Sequence, residues 1–482
     1  MTISSTKTLE GQIEAFGKLS GYPREWVDRT KNVPTDLYSI DGENLNELQL
    51  KWVRRAFEYF RPRVKALEKL AEEQNISRIE SLDDVVPVLF QHTAYKSYPL
   101  SLIEKKRYGL LTKWLDKFTT HDLSGCYNIQ AKSIDDWLDQ VEAKTDLLVV
   151  HSSGTSGKLS FLPRSQSEMT NYVNGFFMML ELQNGINFHE TKMPFIAPVF
   201  RGGRQLAQRV CSLIGPIIAG GEDNFVTAYD FPMSADFLSL AGRLKAAKAK
   251  GELGKLQLIK AMTWNKGELI RMKKAQPKAM ENFFHRITTE YGGRQIFLLG
   301  TWNMLVEPAL QGIKKGIKNV FAPTSAILTG GGMKGAVYPE GWYEKTCEFW
   351  GFKQIRDAYG MTETTGGGAA LCEYNGYHIP PFHVPFVLNP DTGEAYPREG
   401  IRTGRFAFYD LLTETYWGGF ITGDKVTIHW DTCKCGLKGP WLENNIIRYS
   451  EEKGGDDKIS CAGVHEAHDN LLDFLLEGDE EV

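Results

Sequence analysis

Between residues 45 and 74 the stretch LNELQLKWVRRAFEYFRPRVKALEKLAEEQ spaces its apolar side chains three and four apart, with Pro62 the only interruption. That spacing predicts one or two amphipathic helices, and the N-terminal third reads as mainly helical. From about residue 146 the texture changes to short apolar runs punctuated by glycine: DLLVVHSSGTSGK, KMPFIAPVF, RQIFLLG, TSAILTGGG and KQIRDAYG. Several precede stretches of helical character, the pattern of an α/β protein whose strands feed glycine-rich loops. Between about 370 and 430 the chain shifts to Tyr, Phe, Thr and Gly, with turn signals at Asn389-Pro390-Asp391 and Trp417-Gly418-Gly419. A β-rich subdomain is expected there. No internal repeat or low-complexity segment is found, and the acidic last residues, Glu477 to Val482, read as a frayed end.

Composition narrows the classes open to such a chain. Its 482 residues suggest two or three domains, or one large α/β unit. With 56 Lys+Arg against 60 Asp+Glu the net charge is -4, so nothing in the overall charge draws it to nucleic acid or anionic lipid. At 42% hydrophobic and 24% charged residues, collagen-like, wholly disordered and multi-span membrane classes are excluded. No apolar run approaches the ~18 residues that span a bilayer. The start, MTISSTKTLEGQIEAFGKL, lacks a basic n-region and an apolar h-region, so a cytoplasmic location is expected. Seven cysteines (126, 211, 347, 372, 433, 435, 461) in such a chain point to reduced thiols rather than a disulfide framework. Clustered cysteines then become candidate metal ligands or nucleophiles.

Strand-like Leu147 to Val150 leads into His151-Ser152-Ser153-Gly154-Thr155-Ser156-Gly157-Lys158. Hydroxyls, flexible glycines and a lysine in one turn suit phosphate oxygens, because backbone N–H groups approach closely while Lys158 supplies charge. The spacing is not that of a Walker A loop, which needs four residues between its glycines and Ser/Thr after the lysine. Here two residues intervene and Leu159 follows. A polar surface turn is the other reading of this loop.

A second constellation is Cys372-x5-His378 with Cys433-x-Cys435 starting 55 residues after His378. Thiolates with an imidazole make the tetrahedral set that zinc prefers, provided two loops meet. Two unrelated buried or exposed thiols are the alternative for the Cys-x-Cys pair.

Three stretches together carry a family resemblance. The Ser152–Lys158 loop, Asp357-Ala358-Tyr359-Gly360-Met361-Thr362-Glu363-Thr364 and Phe420-Ile421-Thr422-Gly423-Asp424 resemble, in order and spacing over roughly 150–460, the nucleotide motifs of adenylate-forming acyl-activating enzymes. By that resemblance the loop residues Ser152, Ser153, Gly154, Thr155, Ser156, Gly157 and Lys158 would contact ATP phosphates. Tyr359, Gly360, Met361 and Thr362 would frame the α-phosphate, with Thr362 bonding a phosphate oxygen. Glu363 would ligate Mg²⁺ and Asp424 would accept from the ribose hydroxyls, roles that suit these donors, acceptors and hard ligands. Gly330 and Gly331, in Leu328-Thr329-Gly330-Gly331-Gly332, would flank the adenine. For Glu363 the plain alternative is a solvated carboxylate at a helix start.

Cys372-Glu373-Tyr374-Asn375-Gly376-Tyr377-His378-Ile379-Pro380 followed by Cys433-Lys434-Cys435-Gly436 further resembles the phenylacetate-CoA ligase branch of that superfamily. This implies a structural Zn²⁺ on Cys372, His378, Cys433 and Cys435, since four filled positions leave no open catalytic site. His383 and His429 are spare candidates.

Lys453-Gly454-Gly455-Asp456-Asp457-Lys458-Ile459 resembles the hinge before the family's small C-terminal domain, with two departures. Gly454 stands where the family has arginine, and 25 residues follow Asp457, whereas a separate domain needs on the order of a hundred. Lysine-assisted adenylation and the domain swing toward CoA are both put in doubt; Arg448 and Lys458 would substitute in part or be surface charges. A short tail resembles the LuxE-like acyl-protein synthetases of the long-chain fatty-aldehyde system, which hold the acyl group as a thioester on a cysteine near the C-terminus. Cys461, in Ile459-Ser460-Cys461-Ala462-Gly463 near His465 and His468, is the corresponding thiol. A buried small hydrophobe is its ordinary reading. The acid pocket is expected along Phe195–Gly203 and Phe297–Trp302, with Arg201 or Arg204 orienting the carboxylate.

The expected architecture is therefore an α/β adenylate-forming large domain. A mainly helical region occupies 1–140, an adenylation core with a β-rich zinc-binding subdomain 141–450, and a vestigial C-terminal segment 451–482. The expected activity is that of a ligase: ATP·Mg²⁺ and a carboxylic acid give acyl-AMP and pyrophosphate, and the acyl group passes to a thiol on Cys461, on CoA or on an acyl-accepting reductase-like protein. No nucleic-acid or membrane partner is expected. The alternative is a non-catalytic nucleotide-binding or scaffold relative.

Overall fold

In a computed structural model of the chain, residues 23–28, 33–40, 42–154, 157–249, 251, 266–331 and 337–452 are described, residues 249, 266–277, 451 and 452 by their backbone only. The helical break at Pro62 is present: α1 spans Gly42–Phe60 and α2 spans Lys65–Glu73. α1 buries Leu45, Leu48, Trp52, Val53, Ala56, Phe57 and Phe60 along one stripe. Strand β1 (Phe90–Gln91) and helices α3 (Tyr108–Asp116) and α4 (Ile134–Lys144) follow. The Ser133 hydroxyl caps α4 by accepting from Asp136 N–H.

Next, β2 (Leu147–His151) and β3 (Phe161–Ser165) pair as an antiparallel hairpin that carries the glycine-rich loop. Helix α5 (Gln166–Asn184) opens with a Ser165/Glu168 capping box and stops at Gly185, which is left-handed at φ 66°. An α/β layer follows: β4 (Phe195–Phe200), α6 (Leu206–Ala219), β5 (Phe225–Tyr229), α7 (Ala235–Ala249), α8 (Lys266–Thr289), β6 (Phe297–Leu299), α9 (Trp302–Lys314), β7 (Ala326–Gly330), α10 (Trp342–Trp350) and β8 (Asp357–Tyr359). Its strands lie parallel in the order β5-β4-β6-β7-β8. Phe195, Ile196, Phe297 and Leu298 are buried, as strands covered on both faces require.

At β8 the sheet turns antiparallel and continues through β9 (Ala369–Leu371), β10 (Gly376–His378), β11 (His383–Leu388), β12 (Ile401–Asp410), β13 (Gly419–His429) and β14 (Trp441–Glu443) in the order β8-β9-β10-β14-β13-β12-β11. A last strand, β15 (Ile447–Arg448), pairs with β13 and sets Arg448 opposite Asp424. The chain is thus mixed α/β, with one large mixed sheet, a helical N-terminal region and a β-rich part after residue 369. The N-terminal region is fastened to the antiparallel half. β1 pairs in parallel with β13, Phe57 and Phe60 meet the Trp417 ring edge-on, and Trp417 Nε1 donates to the Val88 carbonyl at 2.8 Å. Among the described residues no helix is long and apolar enough to cross a membrane.

Candidate functional site

The β2–β3 hairpin presents Ser152, Ser153, Gly154, Gly157 and Lys158 beside the N-terminal region; Thr155 and Ser156 lie outside the described residues. Gly154 and Gly157 take φ values of 65° and 93°, a region that favours glycine, and Gly157 N–H closes the turn onto the Gly154 carbonyl at 2.9 Å. Ser152 does hairpin work: its hydroxyl oxygen accepts Ser160 N–H at 2.9 Å. The Lys158 ammonium lies 4.6 Å from the Tyr98 ring centroid. Burial, and then the charge of Lys96, push Lys158 down to about 8.

The second stretch lies where the parallel half of the sheet gives way to the antiparallel half. Gly330, at the end of β7, pairs with Ala358 of β8, so Gly330 and Gly331 flank the residue preceding Tyr359. Gly360, Met361, Thr362 and Glu363 follow β8 as a turn rather than a helix start. Tyr359 Oη donates to Asp424 Oδ2 at 2.7 Å, and Arg448 Nε faces Asp424 Oδ1 at 3.5 Å. Burial raises the Glu363 carboxyl above the usual carboxylate range, against its own backbone N–H and the charges of Lys96, Arg164 and Arg448. These stretches, far apart in sequence, are thus linked through shared charges: Lys96 acts on Lys158 and Glu363, and Arg448 on Glu363 and Asp424.

Two residues that act on these stretches escaped sequence reading. Lys96, from the helical N-terminal region, acts on both Lys158 and Glu363. Arg164, in β3, is completely buried and holds the turn from below: Nη1 donates to Thr365 Oγ1 at 2.9 Å and Nη2 to the Thr362 and Thr364 carbonyls at 2.9 and 3.0 Å. Its guanidinium lies over the Tyr172 and Tyr416 rings, with Glu168 as a charge partner. The Asp410 carboxylate completes the cradle by accepting Thr365 N–H.

For the acid pocket the outcome is mixed. Phe195–Gly203 and Phe297–Trp302 do end at the carboxyl edge of the neighbouring strands β4 and β6. Their arginines, however, are engaged by acidic side chains. Arg201 pairs with Glu222 at 2.8 Å and lies over Phe225, while Arg204 binds Asp139 and, at 3.0 Å, Glu142. Neither is presented to a substrate carboxylate as expected. An apolar crevice of about 10 Å³, with room for little more than a water molecule, lies against Tyr359, Met361, Gly368, Phe406 and Phe408.

Cys372, His378, Cys433 and Cys435 converge, their ligand atoms all within 4.8 Å of one another. Two tight turns bring them together. Cys372 N–H donates to Gly376 O with Asn375 left-handed at φ 60°, and Gly436 N–H donates to Cys433 O with Gly436 at φ 88°. Cys372 Sγ lies 3.8 Å from Cys433 Sγ, and Cys435 Sγ 3.2 Å from His378 Nε2. A zinc tetrahedron with metal–sulfur bonds of ~2.3 Å has edges of about 3.8 Å, so the set fits that ion in size as well as softness. Burial depresses His378 to about 4, which keeps its imidazole neutral, and raises the Cys433 and Cys435 thiols. A divalent cation would supply the charge that lets those thiols ionise. His383 and His429 lie elsewhere: His383 Nε2 approaches the Thr365 carbonyl, and His429 stacks on Trp441 and bonds Glu443.

Cys461 and the hinge-like Lys453–Ile459, with His465 and His468, lie outside the described residues.

Among solved structures the chain is similar to an open conformation of 2-hydroxyisobutyryl-CoA ligase in complex with 2-HIB-AMP and CoA, at 12% identity over 86% of this chain and 77% of that one, with a TM-score of 0.47. It is also similar to ATP-bound MatB from Rhodopseudomonas palustris (15% identity, 62% and 47% of the two chains, TM-score 0.33). A third similarity is to a long-chain-fatty-acid-CoA ligase from Archaeoglobus fulgidus (11% identity, 66% and 56%, TM-score 0.36). No family model and no curated protein matches the chain.

Proposed function

We propose that this chain is an adenylate-forming ligase that activates a carboxylic acid with ATP and passes the acyl group to a thiol. The observation that carries the reading is the Tyr359–Asp424 hydrogen bond together with the charge of Lys96 acting on both Lys158 and Glu363, which ties together three separate sequence stretches whose side chains suit phosphate, Mg²⁺ and ribose in turn. A substrate carboxylate oxygen would attack the α-phosphorus, forming the acyl-phosphate bond as the bond to pyrophosphate breaks. The nucleophile belongs to the substrate, so the chain's own work is positioning and charge neutralisation. Lys158, Lys96 and Thr362 would hold phosphate oxygens, and Asp424, oriented by Tyr359, would accept from the ribose. Glu363 would hold the nucleotide's Mg²⁺, which supplies further neutralisation at the phosphates. Gly330 and Gly331 would flank the base.

Cys372, His378, Cys433 and Cys435 would hold a structural Zn²⁺ that ties together the turns after β9 and β13. The thiol acceptor is Cys461, CoA or a partner protein, with Cys461 as the LuxE-like acyl-protein synthetase likeness would have it. Intact-protein mass measurement after incubation with ATP, Mg²⁺ and a panel of aryl and fatty acids, with pyrophosphate read in the same tube, tests the proposal. An ATP-dependent acyl increment on Cys461 supports the acyl-protein form; pyrophosphate without an increment moves the acceptor to CoA or a partner. The absence of both signals, with Glu363→Ala indistinguishable from wild type, overturns the enzymatic reading in favour of a nucleotide-binding scaffold.

A further inference from the structure

Helix α7 belongs to none of the motifs above, yet it touches the glycine-rich loop at both of its glycines. A Cβ added at Gly242 would fall well inside contact distance of the Gly154 carbonyl oxygen, and one added at Gly157 would meet Ala246 Cβ at 3.0 Å. The Gly154 oxygen is the same atom that accepts Gly157 N–H to close the turn. Beneath it, the Leu159 side chain fills the other side of Gly154. One carbonyl is therefore confined between its own turn and the bare face of a helix.

The helix itself has little freedom to move. The Asp135 carboxylate at the start of α4 accepts Ala235 N–H at 3.0 Å and the Ser234 hydroxyl at 2.6 Å. In return, Asp236 of α7 accepts Ile134 N–H at 2.9 Å and Asp135 N–H at 3.0 Å. Each helix thus caps the other's N-terminus, where unsatisfied N–H groups favour a carboxylate. Arg243, next to Gly242, is bound by Glu104 of the N-terminal region.

We infer that Gly242 is a positioning residue: it lets α7 press directly on the Gly154 carbonyl and so holds the Gly157 N–H on that carbonyl, next to Lys158, the cation proposed for the nucleotide phosphates. The inference rests on the proposed phosphate role of this loop. Glycine is required at 242 because any side chain displaces the oxygen that closes the turn, and a turn opened in this way releases the Gly157 N–H and shifts the neighbouring Lys158.

The test compares Gly242→Ala and Ala246→Leu with Lys248→Ala, a change on the exposed face of the same helix. Alanine is a better helix former than glycine, so Gly242→Ala does not weaken α7 as a helix. Two readouts are taken on the full chain: hydrogen exchange of the Gly157 amide, and KM for ATP and for the acid in pyrophosphate release. Faster Gly157 exchange in both variants, with the ATP KM raised about tenfold and the acid KM within twofold, supports the inference; Lys248→Ala changes neither. Folded variants with wild-type exchange and wild-type ATP KM overturn it. So does a parallel rise of both KM values, or loss of folding in both variants, since either makes the contact one of general packing. Wild-type protein that shows no ATP-dependent turnover, while the variants still exchange faster at Gly157, overturns the nucleotide reading and not the clamp.

Discussion

Tyr359 and Asp424 are 65 residues apart in sequence and joined by a 2.7 Å hydrogen bond from phenol to carboxylate. The pair links the last residue of β8 to the middle of β13 across three intervening strands of the sheet. A hydrogen bond to a charged group contributes about 1.5–3 kcal/mol. Under the proposed function, Asp424→Asn raises the ATP KM by at least tenfold, and Tyr359→Phe by a smaller factor, because the carboxylate remains but is less well aimed. Pyrophosphate release at varied ATP measures both. An unchanged KM in Asp424→Asn would remove the residue from the nucleotide site.

The depressed Lys158 gives ATP binding a pH dependence with a fixed sign. In the free protein its ammonium is charged below about 8 and is lost as pH rises through that value. Bound polyphosphate favours the charged form, so ATP affinity falls above pH 8, and binding near pH 8.5 takes up a fraction of a proton. Calorimetric titration in two buffers of different ionisation enthalpy reads that uptake directly. Lys158→Arg, which cannot deprotonate, is expected to abolish both the uptake and the alkaline decline.

Arg164 stabilises and positions at once. Its removal leaves three oxygens, Thr365 Oγ1 and the Thr362 and Thr364 carbonyls, without their buried donor, at about 1–3 kcal/mol each. Arg164→Met is therefore expected to lower the denaturation midpoint strongly. Arg164→Lys, which keeps the buried charge but not the forked donors, should recover part of the stability and little of the activity, since one ammonium cannot serve Thr365 Oγ1 and both carbonyls at once. Equal recovery of both would mean that Arg164 acts on the fold alone.

His151, at the root of the glycine-rich loop, is fully buried, faces the Ser152 carbonyl through Nδ1 at 2.8 Å, and is depressed by burial to about 4. Its unfolded value is near 6.5, so below that pH the unfolded chain binds the extra proton and stability falls until pH reaches about 4. The full span corresponds to ~3 kcal/mol. Urea midpoints between pH 7 and 4.5 should show the decline, and His151→Gln should flatten it by about one proton.

Metal analysis of purified protein is expected to give about one equivalent of zinc. Cys433→Ser should lose most of it and melt lower, by about 1 °C for each kcal/mol of stability removed in a chain of 482 residues. Less than half an equivalent, with Cys433→Ser as stable as wild type, would reduce the cluster to ordinary packed thiols.

The elements with local signatures were legible in the sequence. The helical break at Pro62, the glycine-rich hairpin turn and the β-rich part are written in periodicity, and Cys372, His378, Cys433 and Cys435 in ligand type and spacing. Arg164 was not, because in Phe161-Leu162-Pro163-Arg164-Ser165 it reads as an exposed strand arginine, and its burial depends on a turn about 200 residues away. Lys96 carries no local mark for the same reason. Arg201 and Arg204 failed in the opposite sense: their type suited a carboxylate, but the acids that bind them come from the β4–β5 connection and from α4. Gly242 lies in an unremarkable alanine-rich helix, and only the approach of Gly154 gives its missing side chain a meaning.

The fastening of the first helices to the last strands bears on how the chain must be made. Gln49 of α1 donates to the Pro381 carbonyl, 332 residues downstream, and Tyr38 contacts both the His378 ring and, through its carbonyl, Lys438 N–H beside the cysteine turn. A chain emerging from the ribosome N-terminus first exposes the apolar stripe of α1 for most of its synthesis, before the surface that covers it exists. Contacts this distant in sequence fold slowly and leave aggregation-prone intermediates. The cover of the cysteine–histidine cluster is thus translated first and the cluster last, so the N-terminal region lacks this packing partner until Cys435 has cleared the exit tunnel.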